Sequence, residues 1–205
     1  MILRPFVFAL LFSTPAFAQV GEKSLKVGDA VPGPFRTFVV ADGRFDAKSP
    51  NLRTGKLHCF ICEAELNPTV AVFSRTAAAA ETPALKVAGT LNELVNAHRA
   101  DRFGAFVAFI TLAKDYQEQG GRDDKAKDVR DVAAQAKLTG VPFCLAAGKS
   151  TATDLYGLQE SDDLTIIFFD RMKVIQKWTF TVEKPPTADD LKTLSDAVKG
   201  QLKKK

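Results

Sequence analysis

Cysteine, histidine and tryptophan are scarce in this sequence, and neither sign of charge dominates it. The 205 residues include three cysteines, two histidines and one tryptophan. Three cysteines are too few for a disulfide framework, and a chain of this length can bury an adequate core without one. The formal net charge of +4 is too small and too dispersed to indicate a surface for nucleic acid. We therefore expect no nucleic-acid partner and look for a local explanation of the cysteines.

Long hydrophobic runs and biased segments are missing as well. No segment reaches the roughly 18 to 20 apolar residues that a membrane helix needs, so we expect no permanent membrane span. The composition, with 46% hydrophobic and 25% charged residues, is that of an ordinary globular protein and excludes collagen-like and largely disordered classes. Gly-rich phosphate loops, the Gly-x-Ser-x-Gly elbow and the His-Glu-x-x-His zinc motif are also absent from the sequence.

Residues 1–18 have the composition of a secretory signal peptide. Arg4 supplies the positive region, residues 6–12 are an unbroken apolar run, and residues 16–18 (AFA) match the small-x-small pattern of a cleavage site before Gln19. The sequence therefore predicts an exported protein, periplasmic or extracellular. In such an oxidising compartment disulfides persist.

The rest of the chain alternates strand and helix patterns. Residues 35–40 predict a first strand, and residues 69–73 and 105–112 are apolar runs typical of buried parallel strands. Between these two runs, apolar residues from Val87 to His98 recur on one helical face. The pattern predicts a right-handed βαβ unit.

The second half continues with a helix pattern and ends in a hairpin and a closing helix. A polar loop is expected around Gly120 and Gly121, before a helix that carries Val129 to Ala136. A strand, a short helix, two strands and a final helix follow, at residues 141–146, 151–156, 164–169, 174–181 and 187–202. The last two strands are only four residues apart, which is too close for a crossover helix, so they must pair antiparallel. Thr187 is placed to cap the final helix, with Asp190 three residues on.

Three short motifs accompany this order of elements. They are residues 27–32 (VGDAVP), residues 55–56 (GK), and residues 154–158 (DLYGL) followed by 166–170 (IIFFD). With the order βαβ, then an inserted strand and helix, then ββα, they resemble the thioredoxin-like fold in its peroxiredoxin-like or thiol–disulfide oxidoreductase variety, over residues 27–202. The resemblance implies an α/β protein, a three-layer α/β/α sandwich around a mixed sheet with the peroxiredoxin-like inserted strand and helix. The thioredoxin-like domain would cover residues 35–205, after an N-terminal extension at residues 19–34.

The place where that fold usually carries its reactive cysteine has none here. After the first core strand the sequence reads Ser74, Arg75, Thr76 and then four alanines. A peroxidase of the peroxiredoxin type is therefore disfavoured. Arg75 ends a strand where this class of fold places chemistry. It is a secondary candidate for contacting an anion or a carboxylate, with a solvated charge as the alternative.

Cys59 and Cys62 form a C-x-x-C pair ahead of the core strand instead. A thiolate of the pair could attack a disulfide while the second sulfur resolves the mixed disulfide, and His58 could favour the thiolate. Against this, the two residues between the cysteines are bulky and apolar, and Glu63 would raise a thiol pKa rather than lower it. A structural disulfide that pins the loop before the core strand stays open, and so does metal binding.

The other histidines and cysteines offer little for a metal or haem. Zinc needs four ligands, and beyond the pair the sequence has only His58, His98, Cys144 and carboxylates from distant segments. Covalent haem needs a histidine directly after Cys62, where Glu63 stands. We expect no cofactor and no metal. His98 is expected to be a hydrogen-bonded core or boundary residue, and Cys144 to pack as a small hydrophobe.

Two functions remain for the sequence. The first is an exported thiol–disulfide oxidoreductase in which Cys59 and Cys62 cycle between dithiol and disulfide, with protein thiols or a disulfide reductase as partners. The second is a non-catalytic peroxiredoxin-like binding or structural module in which the same cysteines form a local disulfide. The two differ in a measurable property, which is whether the pair exchanges disulfides with a substrate.

Overall fold

Helices and strands alternate along the chain and build a seven-stranded sheet. The computed structural model describes residues 25–43, 53–76, 78–79 and 81–204. The strands are β1 (Thr37–Ala41), β2 (Leu57–His58), β3 (Thr69–Ser74), β4 (Gly104–Thr111), β5 (Phe143–Ala147), β6 (Leu164–Asp170) and β7 (Lys173–Phe180). The helices are α1 (Phe60–Ala64), α2 (Pro83–Ala97), α3 (Ala113–Gln117), α4 (Gln119–Ala136), α5 (Thr151–Leu155) and α6 (Ala188–Leu202). The predicted signal peptide, residues 1–18, lies outside the described residues.

The sheet is mixed, with the strand order β2-β1-β5-β4-β3-β6-β7. Its centre is parallel, because β4 pairs in parallel with both β3 and β5. The outer pairs, β3 with β6, β6 with β7, β5 with β1 and β1 with β2, are antiparallel. The expected βαβ unit is therefore confirmed as β3-α2-β4, and the expected hairpin as β6-β7.

Each face of the sheet has its own apolar cluster. Side chains alternate along a strand, so Val70 and Val72 of β3 face one cluster while Ala71 and Phe73 face the other. Helices α2, α4 and α6 cover the first face, and α1, the end of α5 and residues 25–35 contribute to the second. The three-layer arrangement follows from this division. In the described part of the chain, no helix combines the length and the hydropathy needed to cross a membrane.

The segment before β1 packs onto the far edge of the sheet. The amides of Gly28 and Val31 donate to the carbonyls of Val174 and Met172, each at 2.8 Å. The hydroxyl of Tyr156 donates to the Gly33 carbonyl at 2.5 Å. Of the predicted N-terminal extension, residues 25–34 are thus held by β7 and by the residue that ends α5.

The segment around Gly120 and Gly121 is helical, so the loop expected there is wrong. Both glycines belong to the first turn of α4. A Cβ atom at Gly121 would lie 3.0 Å from main-chain atoms of Asp115. Glycine is present because α3 and α4 approach closely, and not because the backbone turns there.

Candidate functional site

Cys59 and Cys62 lie at the start of α1, where the sequence predicts a loop. Cys59 is the N-cap residue, with extended backbone angles (φ −118°, ψ 95°), and its Sγ accepts a hydrogen bond from the Cys62 amide at 3.1 Å. The two sulfurs form a disulfide with a Cα–Cα distance of 5.3 Å. The spacing explains the bond, because it places the second cysteine on the N3 position, where a cap side chain meets the helix.

The two residues between the cysteines fasten α1 to the sheet. Phe60 and Ile61 are 6% and 1% exposed, and the Phe60 ring stacks on Phe106 of β4 with 5.2 Å between the centroids. Burying this face turns the other side of the helix outward. Cys59 is consequently half-buried against the cluster, whereas Cys62 is exposed.

A chain of charged groups runs beside the helix. Arg53 donates through Nε to Asp42 at 3.0 Å, and its two terminal nitrogens contact Asp42 and Glu63. His58 Nε2 lies 2.6 Å from Oε2 of the same Glu63 carboxylate. The Arg53 guanidinium also lies over the Phe60 ring, 4.9 Å from its centroid. We call this group of four residues the charged network: Asp42, Arg53, Glu63 and His58.

Burial and charge act in opposite directions on Arg53. Burial alone would lower the pKa of its guanidinium, but the hydrogen bond to Asp42 and the negative charges of Glu63 and Asp42 raise the pKa above its usual value. Arg53 therefore stays protonated and offsets much of the Glu63 charge. Glu63 opposes a neighbouring thiolate less than the bare sequence implies.

The side chains of His58 and Arg75 make their contacts with groups other than the disulfide. His58 binds Glu63, and among the described residues it has no hydrogen bond to either cysteine. Arg75, at the carboxyl end of β3, donates to the carbonyls of Leu158 and Gln159 at 2.7 and 3.0 Å. The structure thus brings His58 to the flank of α1 and uses Arg75 to hold the chain that follows α5.

Cys144 and His98 behave as the sequence predicts. Cys144 is 0% exposed in β5, and burial raises the pKa of its thiol to about 12. His98 follows the last residue of α2 and binds Asp101 through Nδ1 at 2.9 Å. The described residues contain no group of three or more His, Cys, Asp or Glu side chains that could hold a metal ion.

Arg53 and Asp42 are the site residues that sequence reasoning missed. They come from two loop segments 11 positions apart, and loops carry no periodic pattern that would pair them. Asp42 offered a partial signal, since it follows a strand and precedes Gly43. Its burial, at 5% exposed, becomes evident only when the fold is known.

A cleft of about 650 Å³ opens beside α1. Phe60, Glu63 and Ala64 of the helix line it on one side, and Arg99 and Arg102, which follow α2, line it as well. A second cavity, of about 310 Å³, lies beside Thr179 and Asp190 and is smaller. The disulfide helix thus borders a space that a small molecule or a peptide segment could occupy.

No model of a known protein family matches the sequence, and no curated protein matches it. Solved structures do resemble it. A putative thiol:disulfide interchange protein DsbE from Chlorobium tepidum is 15% identical, with a TM-score of 0.56, over 87% of this chain and 99% of that one. AhpC from Mycobacterium tuberculosis is 14% identical, with a TM-score of 0.55, over 86% and 99%. Peroxidoxin BcpB from the same organism is 15% identical, with a TM-score of 0.55, over 88% and 97%.

Identities this low establish the fold, and function has to be argued from the site. The chain has the thioredoxin-like α/β fold in its peroxiredoxin-like form, as the order of elements and the three short motifs predict. Its C-x-x-C pair precedes β3, and Ser74 and Arg75 occupy the end of that strand.

Proposed function

We propose that this protein is an exported thiol–disulfide oxidoreductase that works through Cys59 and Cys62. The observation that carries the proposal is a disulfide at the start of α1 in which the Cys59 sulfur accepts a hydrogen bond from the Cys62 amide. A hydrogen bond to sulfur stabilises the thiolate relative to the thiol. Cys59 can therefore leave as a thiolate when the disulfide is attacked.

The attack falls on Cys62, because its side of the helix is exposed while Cys59 is half-buried. A substrate thiolate forms a bond to Cys62 Sγ, the Cys59–Cys62 bond breaks, and the electron pair goes to Cys59 Sγ. A second substrate thiolate then attacks the substrate sulfur of this mixed disulfide, and Cys62 leaves as a thiolate. The substrate is oxidised to a disulfide by two electrons, and the protein is reduced to the dithiol.

The same steps in reverse reduce a substrate disulfide. The Cys62 thiolate then attacks the substrate, and Cys59 resolves the mixed disulfide. A disulfide reductase must return the pair to the dithiol in that direction, and a dithiol oxidant must restore the disulfide in the other. These are the thiol partners that the proposal requires.

The charged network favours the thiolate indirectly, through its effect on Glu63. The Arg53 guanidinium contacts Glu63 and partly neutralises the carboxylate of this residue, which directly follows Cys62 in α1. His58 acts here as a positioning residue for Glu63. The predicted signal peptide at residues 1–18 supports export, and the oxidising compartment that export implies keeps the disulfide closed.

The region after β3 disfavours a peroxidase activity of the peroxiredoxin type. The sequence after β3 has Ser74 and Arg75 where a peroxiredoxin-like protein would need its reactive cysteine nearby. The Arg75 guanidinium already donates to two carbonyl groups. Its contribution is to hold the chain after α5, rather than to contact an anionic substrate.

A structural clamp is the second candidate. Phe60 and Ile61 fasten α1 to the sheet, and a disulfide across the same turn could serve only to keep that contact. In this case the protein would be a non-catalytic binding or structural module. The Cys62 sulfur would then exchange slowly with thiols although it is exposed.

The reduction potential of the pair separates the two candidates. Thiol trapping of the mature protein across defined redox buffers should give a value between roughly −270 and −120 mV, the range of cycling pairs. Cys59→Ser and Cys62→Ser should each abolish reduction of a protein disulfide, whereas Cys144→Ala, the matched control, should retain it. A potential below about −300 mV, or unchanged activity in Cys59→Ser, would contradict the proposal and favour the clamp.

A further inference from the structure

The cleft beside α1 is lined by more cationic than anionic groups. Arg99 and Arg102 are exposed and contribute to its lining with Arg53 and Glu63. The Arg53 guanidinium already binds the carboxylates of Asp42 and Glu63. The two remaining arginines therefore decide what charge the cleft attracts.

Neither of these arginines has an acidic partner among the described residues. Arg99 donates to the neutral side-chain oxygen of Asn96 at 2.6 Å, and Arg102 has no side-chain hydrogen bond or ion pair there. A guanidinium offers several donors in a plane and binds a carboxylate through two parallel hydrogen bonds. The cleft thus presents two guanidinium groups that make no ion pair with the described part of the chain.

The exposed Cys62 sulfur belongs to α1, and other residues of this helix line the cleft. Cys62 is adjacent in the chain to Glu63, which lines the cleft. Cys62 itself does not line the cleft, and helix geometry turns its side chain about 100° away from that of Glu63. An extended peptide covers roughly 3.3 to 3.6 Å per residue, so a carboxylate two or three residues from a substrate cysteine could reach the arginines.

We infer that this cleft binds the carboxylate-bearing part of the thiol substrate, and that the protein prefers anionic peptide thiols and their disulfides. The inference rests on the proposed function, since it assigns a substrate class to the same disulfide. Arg99 and Arg102 hold the carboxylate while the substrate sulfur lies at Cys62. Phe60 adds an apolar part to the lining of the cleft, and the contact of Glu63 with Arg53 limits the repulsion of the substrate by Glu63.

Three small disulfides of different charge test the inference. They are oxidised glutathione, which is anionic and peptidic, bis(2-hydroxyethyl) disulfide, which is neutral, and cystamine, which is cationic. Their rates of reaction with the reduced protein are followed by acid quenching and chromatography. The anionic disulfide should react about tenfold faster than the neutral one at low salt, a typical gain for a charged contact, and added salt should shrink the difference.

Variants connect that preference to the cleft. Arg99→Ala combined with Arg102→Ala should bring the rate of the anionic disulfide close to that of the neutral one, without changing the neutral rate. Arg130→Ala, which removes an exposed arginine of α4, is the matched control and should keep the preference. Equal rates for all three disulfides, or a preference that survives in the double variant, would overturn the inference and leave disulfide exchange intact. If none of the three reacts, the proposed function fails and the inference fails with it.

Discussion

The three cysteines differ in their surroundings, and these surroundings set their chemistry. Cys144 lies between Phe143 and Leu145 in a central part of the sheet, and these apolar neighbours allow its burial to be predicted from the sequence. The C-x-x-C spacing likewise identifies Cys59 and Cys62 as a pair. Which sulfur of the pair faces solvent could not be predicted, because it depends on how Phe60 and Ile61 pack against distant strands.

Cys144 should be inert in the folded protein. Burial raises its thiol pKa to about 12, so near pH 8 the group is protonated as well as shielded, and the thiolate is the reactive form. We expect no reaction of the oxidised native protein with a thiol reagent, and one reactive thiol per chain in concentrated guanidinium chloride. The Cys144→Ala variant should show none in either state. Rapid labelling of Cys144 under native conditions would contradict the burial on which this rests.

The reduced pair should label asymmetrically. Cys62 is exposed and Cys59 is half-buried, so brief treatment of the reduced protein with a small excess of a bulky maleimide, whose reaction is limited by access to the sulfur, should modify mainly Cys62. Peptide mass spectrometry after proteolysis measures the ratio of the two products. In the unfolded reduced protein the two should label to a similar extent, which is the control. Preferential labelling of Cys59 would reverse the order of attack described above.

Among the elements, α1 shows where sequence patterns fail. Five residues are too few for an apolar period to be recognised, and cysteine is not a usual N-cap signal. The contacts that hold the helix come from Phe106 and Arg53, which lie in other segments. Long elements such as α2 and α6 were predictable because their apolar faces repeat over 15 residues.

The β6–β7 turn has two residues in the left-handed region, and neither is glycine. Arg171 has φ 49° and Met172 has φ 58°, as the tight hairpin turn of this kind requires. Because asparagine tolerates that conformation better than arginine, Arg171→Asn should raise the free energy of unfolding by roughly 0.5 kcal/mol. Denaturant unfolding measures the change. Arg130→Asn, in the exposed helix α4, should instead cost a few tenths of a kcal/mol, and a loss in both variants would contradict the account of the turn.

The cap of α6 should make one carboxyl group unusually acidic. The side chain and the amide of Thr187 donate to Asp190 and lower its pKa below the usual value. Since the folded pKa lies below the unfolded one, the cap stabilises the protein above the unfolded pKa, and its contribution disappears as the pH falls through the folded pKa. Thr187→Ala should move the Asp190 pKa back upward in an NMR titration. Thr193→Ala, later in the same helix, is the control and should leave it unchanged.

At the scale of the whole molecule, the alternation of apolar runs and helical stripes was enough to predict the βαβ unit and the final hairpin, and the resemblance in element order and short motifs implied the thioredoxin-like sheet. Two features of the structure could not be predicted from these patterns. The attachment of residues 25–34 to β7 depends on main-chain hydrogen bonds between segments about 145 positions apart, and the charged network joins two loops to α1. Contacts of this kind leave no periodic trace in the sequence.

The two apolar clusters should keep the protein folded when its disulfide is open. Phe60 and Ile61 already anchor α1, and the disulfide joins residues only three positions apart. Closing so short a loop contributes about 2 kcal/mol on the chain-entropy account. Denaturant unfolding of the oxidised and reduced protein should therefore show two cooperative transitions whose unfolding free energies differ by about 2 kcal/mol or less.

A variant with Cys59→Ser and Cys62→Ser is the control, because a reducing agent should not change its stability. It should unfold near the reduced wild type. The comparison bears directly on function, since a pair that cycles needs a stable native state in both redox forms. If reduction alone unfolds the protein, the disulfide is a structural clamp, and Cys59 and Cys62 cannot act as a redox pair.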